Sequence, residues 1–299
     1  VESEKKVTRS VIPVQELSES DKNEALLQAG KLHFPQQLQI PILRFRDFTN
    51  ARVGLPVAGR SLALPAMLDL YEAQAAARDS VWEYWNAENL SCELERRNLL
   101  SFQGESAVAS RQEYLEKPHL GRSLSNESRV RLAEWQKRFF SAARPDVAFV
   151  VTNGLSTRAI ESHYLGFLDA FLFRAKQRNL FSFGTNSGQQ VCFLLLQNGR
   201  VALADDVAEI LRPRLSIIAV GERPGMTSFD SMGLYFTYAP RSGMQDSERN
   251  CISNIRVPGG LEYAKAASHA VYLIEECFRQ KLSGVSVKLG EDQHNIPLR

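Results

Sequence analysis

Residues Asp146–Val151, DVAFVV, form a near-continuous apolar run of strand length with no polar alternation. A strand that is apolar toward both faces has to be covered on both, which is the condition of a parallel sheet flanked by helices. Two more runs of this kind follow at Val191–Leu196 and Leu215–Val220, and a fourth strand pattern lies at Leu234–Tyr238. Helical stripes alternate with them. Ile160, Tyr164, Phe167, Phe171 and Ala175 share one face of a segment running to about Arg178. A short helix is expected over Asp205–Leu211. A long one spans about Leu261–Leu282, with Tyr263, Ala266, Ala267, Ala270, Ile274 and Phe278 inward and Gly284 ending it. This alternation predicts an α/β fold with a doubly wound, mostly parallel sheet over residues 145–299.

The preceding residues are organised differently. Residues 1–45 are polar and charged with little periodicity, and read as a tail. Residues 46–144 read as a mainly helical region. Pro65 stands where a helix can start, and Met67, Leu68, Tyr71, Ala75 and Trp82 recur at helical spacing, predicting one amphipathic helix over 65–85. Arg78 and Asp79 on it read as an exposed charged pair. Residues 86–122 read as irregular, with Pro118 and Gly121 marking a turn. Ser125 is a plausible N-cap for a helix to about Phe140 that puts Leu132, Trp135 and Phe139 on one stripe.

Composition excludes little. The 36 basic residues are nearly matched by 34 acidic ones, and no dense basic run marks a nucleic-acid surface. The longest apolar runs fall far short of the ~20 residues of a membrane span. Nor does the N-terminus carry an apolar signal core, so no secretory address is expected. Cys92, Cys192, Cys251 and Cys277 show no zinc or redox spacing, which fits a reducing compartment without disulfides.

A sheet of this class presents its ligand contacts in the loops at one strand edge. The candidate loops are Asn153–Thr157, Asn198–Val201, Gly221–Gly225 and the polar loop that reaches Cys251. None matches the glycine-rich dinucleotide fingerprint or the phosphate loop. Glu222 follows a buried strand and precedes Arg223 and Pro224. It reads either as a loop ion pair with a nearby arginine or as an acceptor for donors on a bound ligand. Cys251 has no histidine near it in sequence to act as a base, which favours a structural or ligand-lining thiol over a nucleophile. His163 lies beside the helix face and His269 on the polar side of the last helix. Neither has metal-ligand company, and no metal residue is assigned.

The block VGERPGMTSFDSMGLYFTYAPRSGMQDSERNCISNIR (Val220–Arg256) closely resembles the small subunit of ethanolamine ammonia-lyase. The likeness continues in DVAFVVTNGLST, NGRVALADDVAEIL and EYLEKPHLGRSLSNES, and more loosely in ARVGLPVAGRSLALPAML, so that the matched segments cover roughly residues 50–287. The resemblance implies a Rossmann-like domain that holds adenosylcobalamin at an interface with a large barrel subunit. Together the two chains would convert ethanolamine to acetaldehyde and ammonia by a radical route. It also implies an assembly of several heterodimers in the bacterial cytoplasm, where some hosts enclose the enzyme in a protein-shelled microcompartment.

In that family the cobalamin contacts of the small subunit fall at the Val of Gly-Arg-Val, the Glu of Gly-Glu-Arg-Pro-Gly and the Cys of Cys-Ile-Ser-Asn. Here these are Val201, Glu222 and Cys251. Substrate contacts belong to the large subunit, so no catalytic residue is assigned to this chain. Asp292-Gln293-His294 begins like the D-x-H-x-x-G motif that replaces the lower cobalt ligand in some cobalamin proteins. It lacks the glycine and follows the last helix, in keeping with the family's base-on binding. Two stretches depart from the family pattern: residues 180–201 look longer and more polar, and Leu55–Arg60 is less basic. Two alternatives remain at this stage, a cobalamin carrier without turnover and a free-standing enzyme using Cys251.

Overall fold

The computed structural model describes residues 48–49, 51–181 and 190–288. The predicted tail over 1–45, most of the departing stretch before Gln190, and Asp292–Pro297 lie outside the described residues. The chain divides into two units, 1–71 and 72–299, and the division falls within the first helix.

In the first unit, β1 (Val57–Ala58) and β2 (Ser61–Leu62) pair as an antiparallel hairpin. Helix α1 (Leu64–Trp82) follows at once, with Pro65 in its first turn, where a missing N–H breaks no helical bond. Its apolar spacing is real, but Leu64, Leu68, Tyr71 and Trp82 are each more than half exposed. Ala66, Ala73 and Ser80 are the buried positions instead. Arg78 and Asp79 form the expected exposed pair at 3.3 Å.

The second unit is built on six strands: β3 (Ser101–Glu105), β4 (Val147–Thr152), β5 (Val191–Gln197), β6 (Leu215–Gly221), β7 (Met232–Tyr238) and β8 (Asn250–Ile255). They lie in the order β3-β5-β4-β6-β7-β8. The first four are parallel, while β7 runs antiparallel to β6 and β8 antiparallel to β7. The three apolar runs are the three central strands, and every residue of β4 and β6 is buried.

Both faces of the parallel strands are covered, as those runs require. On one side α2 (Ala87–Arg96), α5 (Thr157–Gln177) and α7 (Tyr263–Gln280) pack over Phe149, Phe193 and Ile217. On the other, α4 (Asn126–Phe139) and α6 (Leu203–Leu211) pack over Ala148, Val150 and Leu194. Phe149 stacks on Phe193 at 5.5 Å and meets Tyr164 and Phe171 edge-on, and such aromatic pairs add about 0.5–1.5 kcal/mol beyond the area they bury. Ser125 caps α4 and Ser156 caps α5, each accepting from the N–H three residues on.

One stretch corrects the expectation from sequence. Residues 86–122, read as irregular, supply α2, the edge strand β3 and α3 (Arg111–Glu116). Asn86 caps α2, whose Leu90 and Leu94 are buried one turn apart. Strand β3 is five residues long, carries a glycine and buries only Phe102, so its pattern is too faint to stand out from a loop.

Candidate functional site

Strand β4 leads to β5 on one side of itself, and β5 leads to β6 on the other. The carboxyl ends of β4 and β6 therefore border a topological switch point, where open α/β sheets bind ligands. A cavity of about 910 Å³ opens there. Leu155 after β4, Arg200, Val201 and Ala202 after β5, Gly221 at the end of β6, and Glu222 and Arg223 after it line it, together with Tyr114, Tyr235 and the Met244–Ser247 turn. Three loops that are far apart in sequence thus meet where the strand-edge reasoning put them.

The loops are locked to one another by short bonds. Leu155 N–H donates to Gly221 O at 2.9 Å. A Cβ at Gly221 would collide with the carbonyls of Ser156 and Asn153, so only glycine permits this approach. Asn198 N–H donates to Asn153 Oδ1 at 2.7 Å, and Gly199 N–H donates to Thr152 Oγ1 at 2.7 Å. The Tyr114 hydroxyl donates to Gly199 O at 3.0 Å, and Arg111 donates to Gly154 O at 2.7 Å and to Asn198 Oδ1 at 3.0 Å. The turn that carries Arg200 and Val201 is thus bonded to the β4 loop and to Tyr114.

Among the described residues Glu222 is held as an acceptor and not in an ion pair with an arginine. Its Oε1 receives the Ser253 hydroxyl at 2.5 Å, and its Oε2 receives Asn254 N–H at 3.2 Å. The side chain reaches Ser253 by crossing over β7 at Gly233, where a Cβ would stand 2.7 Å from Oε1. Glu222 stays partly open to the cavity.

Cys251 departs from its expected setting. It lies inside β8, paired with Tyr235 of β7, and so sits on a sheet face and not in a strand-end loop. Polar Cys251 and Ser253 face outward while Ile252 is buried, which is the alternation of a half-covered antiparallel strand. Cys251 is outside the cavity lining, but its neighbour Tyr235 is in it. Desolvation by the surrounding protein pushes the thiol up to about 11, against the pull of the Tyr235 hydrogen bond, although the residue's outer side is exposed. A nucleophile needs the opposite shift, so this setting favours a surface or ligand-lining thiol over a catalytic one.

Three further features were not read from the sequence. Arg249, just before β8, is buried in a two-bonded pair with Asp205 of α6 at 2.6 and 2.8 Å, and it also donates to Thr237 Oγ1 at 3.0 Å. His163 is buried, its Nε2 at 3.1 Å from Asp230 Oδ2 and its Nδ1 at 2.8 Å from the Tyr263 hydroxyl. It ties the β6–β7 loop to α5 and α7. Ser80 and Ser156 add to this by donating to Phe229 O at 2.7 and 2.8 Å. His269, expected on the polar side of α7, is also buried, because α7 packs more of its circumference than the alanine stripe suggests.

Among the described residues no group of His, Cys, Asp and Glu side chains is arranged to hold a metal ion, and no helix is long and apolar enough to cross a membrane. Residues 39–288 match the family model described as ethanolamine ammonia-lyase light chain (EutC). The chain is 41% identical over 259 residues to the ethanolamine ammonia-lyase small subunit of Pseudomonas putida (strain GB-1), covering 86% of this chain and 90% of the relative. It is 42% identical over 248 residues to the small subunit of that name in Azotobacter vinelandii (strain DJ), covering 83% and 88%. The corresponding small subunit of Pseudomonas syringae pv. tomato is 41% identical over 251 residues, 83% of each chain.

Proposed function

This chain belongs to the ethanolamine ammonia-lyase light-chain family, and on that premise we propose that it forms half of an adenosylcobalamin site. It pairs with a large subunit, in an assembly of several heterodimers, and the pair converts ethanolamine to acetaldehyde and ammonia. The observation that carries this reading is the half-open sheet face formed by Tyr235 of β7 and the outward residues of β8, with the Glu222 carboxylate laid across Gly233. A corrin is a broad ring fringed with carboxamides. It calls for a flat surface with apolar contact and a few fixed acceptors, and the residues present fit that demand.

When bound, the cofactor supplies the radical chemistry, and the protein's part is to bind, orient and shield it. Val201 gives apolar contact from a turn that is hydrogen-bonded to its neighbours. Tyr235 and Cys251 present a neutral surface, and desolvation raises both groups further above their ordinary values. Glu222 spends part of its acceptor capacity on Ser253 and Asn254, and an ionised carboxylate retains lone pairs for amide N–H donors of a ligand. The exposed apolar residues of α1 offer contact area for the large subunit.

Co-expression with a large subunit followed by an acetaldehyde assay tests the proposal. Turnover is expected only with both chains, ethanolamine and adenosylcobalamin. Corrinoid binding without turnover would point to a carrier, and turnover by the isolated chain would refute the shared site.

A further inference from the structure

Three of the arginines that line the cavity, Arg122, Arg200 and Arg223, are in no ion pair among the described residues. The other cation of the lining, Arg249, is committed to Asp205. Of the two lining carboxylates, Glu222 is bonded to Ser253 and Asn254, while Asp246 is fully exposed and lies 3.8 Å from Arg249 Nε. The cavity lining thus holds three arginines without a carboxylate partner among the described residues.

Arg200 itself is fixed in place. Its N–H donates to Gly121 O at 2.7 Å, its Nη2 donates to Tyr114 O at 3.1 Å, and its guanidinium lies 4.6 Å from the Tyr114 ring centroid. Its Nε is buried and has no hydrogen-bond partner. A guanidinium held at the wall of a cavity that two further unpaired arginines also line is the arrangement that recognises an oxyanion, because the fork of N–H groups matches two oxygens at once.

We propose that Arg200, assisted by Arg122 and Arg223, takes the phosphodiester of the cobalamin nucleotide arm. This rests on the cobalamin reading above and extends it to a part of the ligand that the ring face does not contact. The corrin's carboxamides are neutral, and the phosphodiester is the permanent anion of the arm. Val201 is the next residue after Arg200, so one turn serves both ring and arm.

The test compares two ligands on the two-subunit complex: cyanocobalamin and cobinamide, which lacks the phosphate and everything beyond it. Affinities are read by absorbance titration, without turnover. Arg200→Met is expected to weaken cyanocobalamin binding by about tenfold or more, the size of a lost charge-assisted bond, and to leave cobinamide within about twofold. Arg122→Met and Arg223→Met, at exposed positions that do not support the fold, are expected to show the same selectivity with smaller losses. Inorganic phosphate at millimolar concentration should compete with cyanocobalamin and spare cobinamide. Equal losses for both ligands, or none, in all three variants would overturn the subsite while leaving the cobalamin reading intact. A wild-type complex that binds neither corrinoid would overturn both.

Discussion

The Ser253 hydroxyl of β8 donates to Glu222 Oε1 at 2.5 Å across the intervening strand β7. The crossing is possible because Gly233 has no side chain to stand in the way. Gly233→Ala puts a Cβ 2.7 Å from Oε1, and overpacking of this kind costs about 1–3 kcal/mol. Its expected signature is a lowered denaturation midpoint together with corrinoid affinity reduced about tenfold. Ser253→Ala, which removes the bond without displacing Glu222, should cost about 1 kcal/mol in chemical denaturation and less in affinity.

Arg249 and Asp205 form a buried pair whose loss is asymmetric. Burial pushes the Asp205 carboxyl up, and the two bonds from Arg249 pull it back. Arg249→Met leaves a buried carboxylate unpaired and is expected to cost about 3–5 kcal/mol in chemical denaturation. The double substitution Asp205→Leu, Arg249→Met should cost clearly less than the sum of its single changes, because neither charge is then stranded.

Alkaline pH should weaken the fold through its thiols. Desolvation pushes Cys251 up to about 11 and Cys277 up to about 12, and raises Cys192 further. An unfolded cysteine titrates near about 8.5, so the unfolded state loses protons first. The stability that these neutral thiols contribute is complete below about pH 8.5 and is lost as pH climbs toward 11–12. Denaturation midpoints should fall across that window, and less steeply in Cys251→Ala. At pH 8, alkylation of Cys251 followed by peptide mapping should run roughly a hundredfold slower than that of an unstructured cysteine peptide.

The parts of the fold that sequence made legible are those where one physical demand dominates. Asp146–Val151 is apolar on both faces and could only be a central strand, and Ser125 declares its helix by capping it. Strand β3 stayed hidden because an edge strand buries one residue, Phe102, and β8 because its open face is polar. At the site, the strand-edge rule brought Asn153–Thr157, Asn198–Val201 and Gly221–Gly225 together correctly, while Cys251 turned out to lie on the sheet face. The Arg249–Asp205 pair and the His163–Asp230 contact join residues 44 and 67 positions apart, and no local pattern encodes such pairings. Helix α1 shows the converse. Its stripe of Leu68, Tyr71 and Trp82 was visible, but spacing alone does not say whether a stripe meets the chain's own core or another molecule's.

The shared cobalamin site is tested most directly by filling the β7–β8 face. Cys251→Trp places a large ring on an exposed position beside Tyr235 without disturbing the core. The account predicts that the two-subunit complex assembles normally and binds adenosylcobalamin at least about tenfold more weakly, as expected when bulk displaces a ligand from its contact face, while Cys92→Trp at the exposed thiol of α2 has no such effect. Unchanged affinity in an intact Cys251→Trp complex would contradict it.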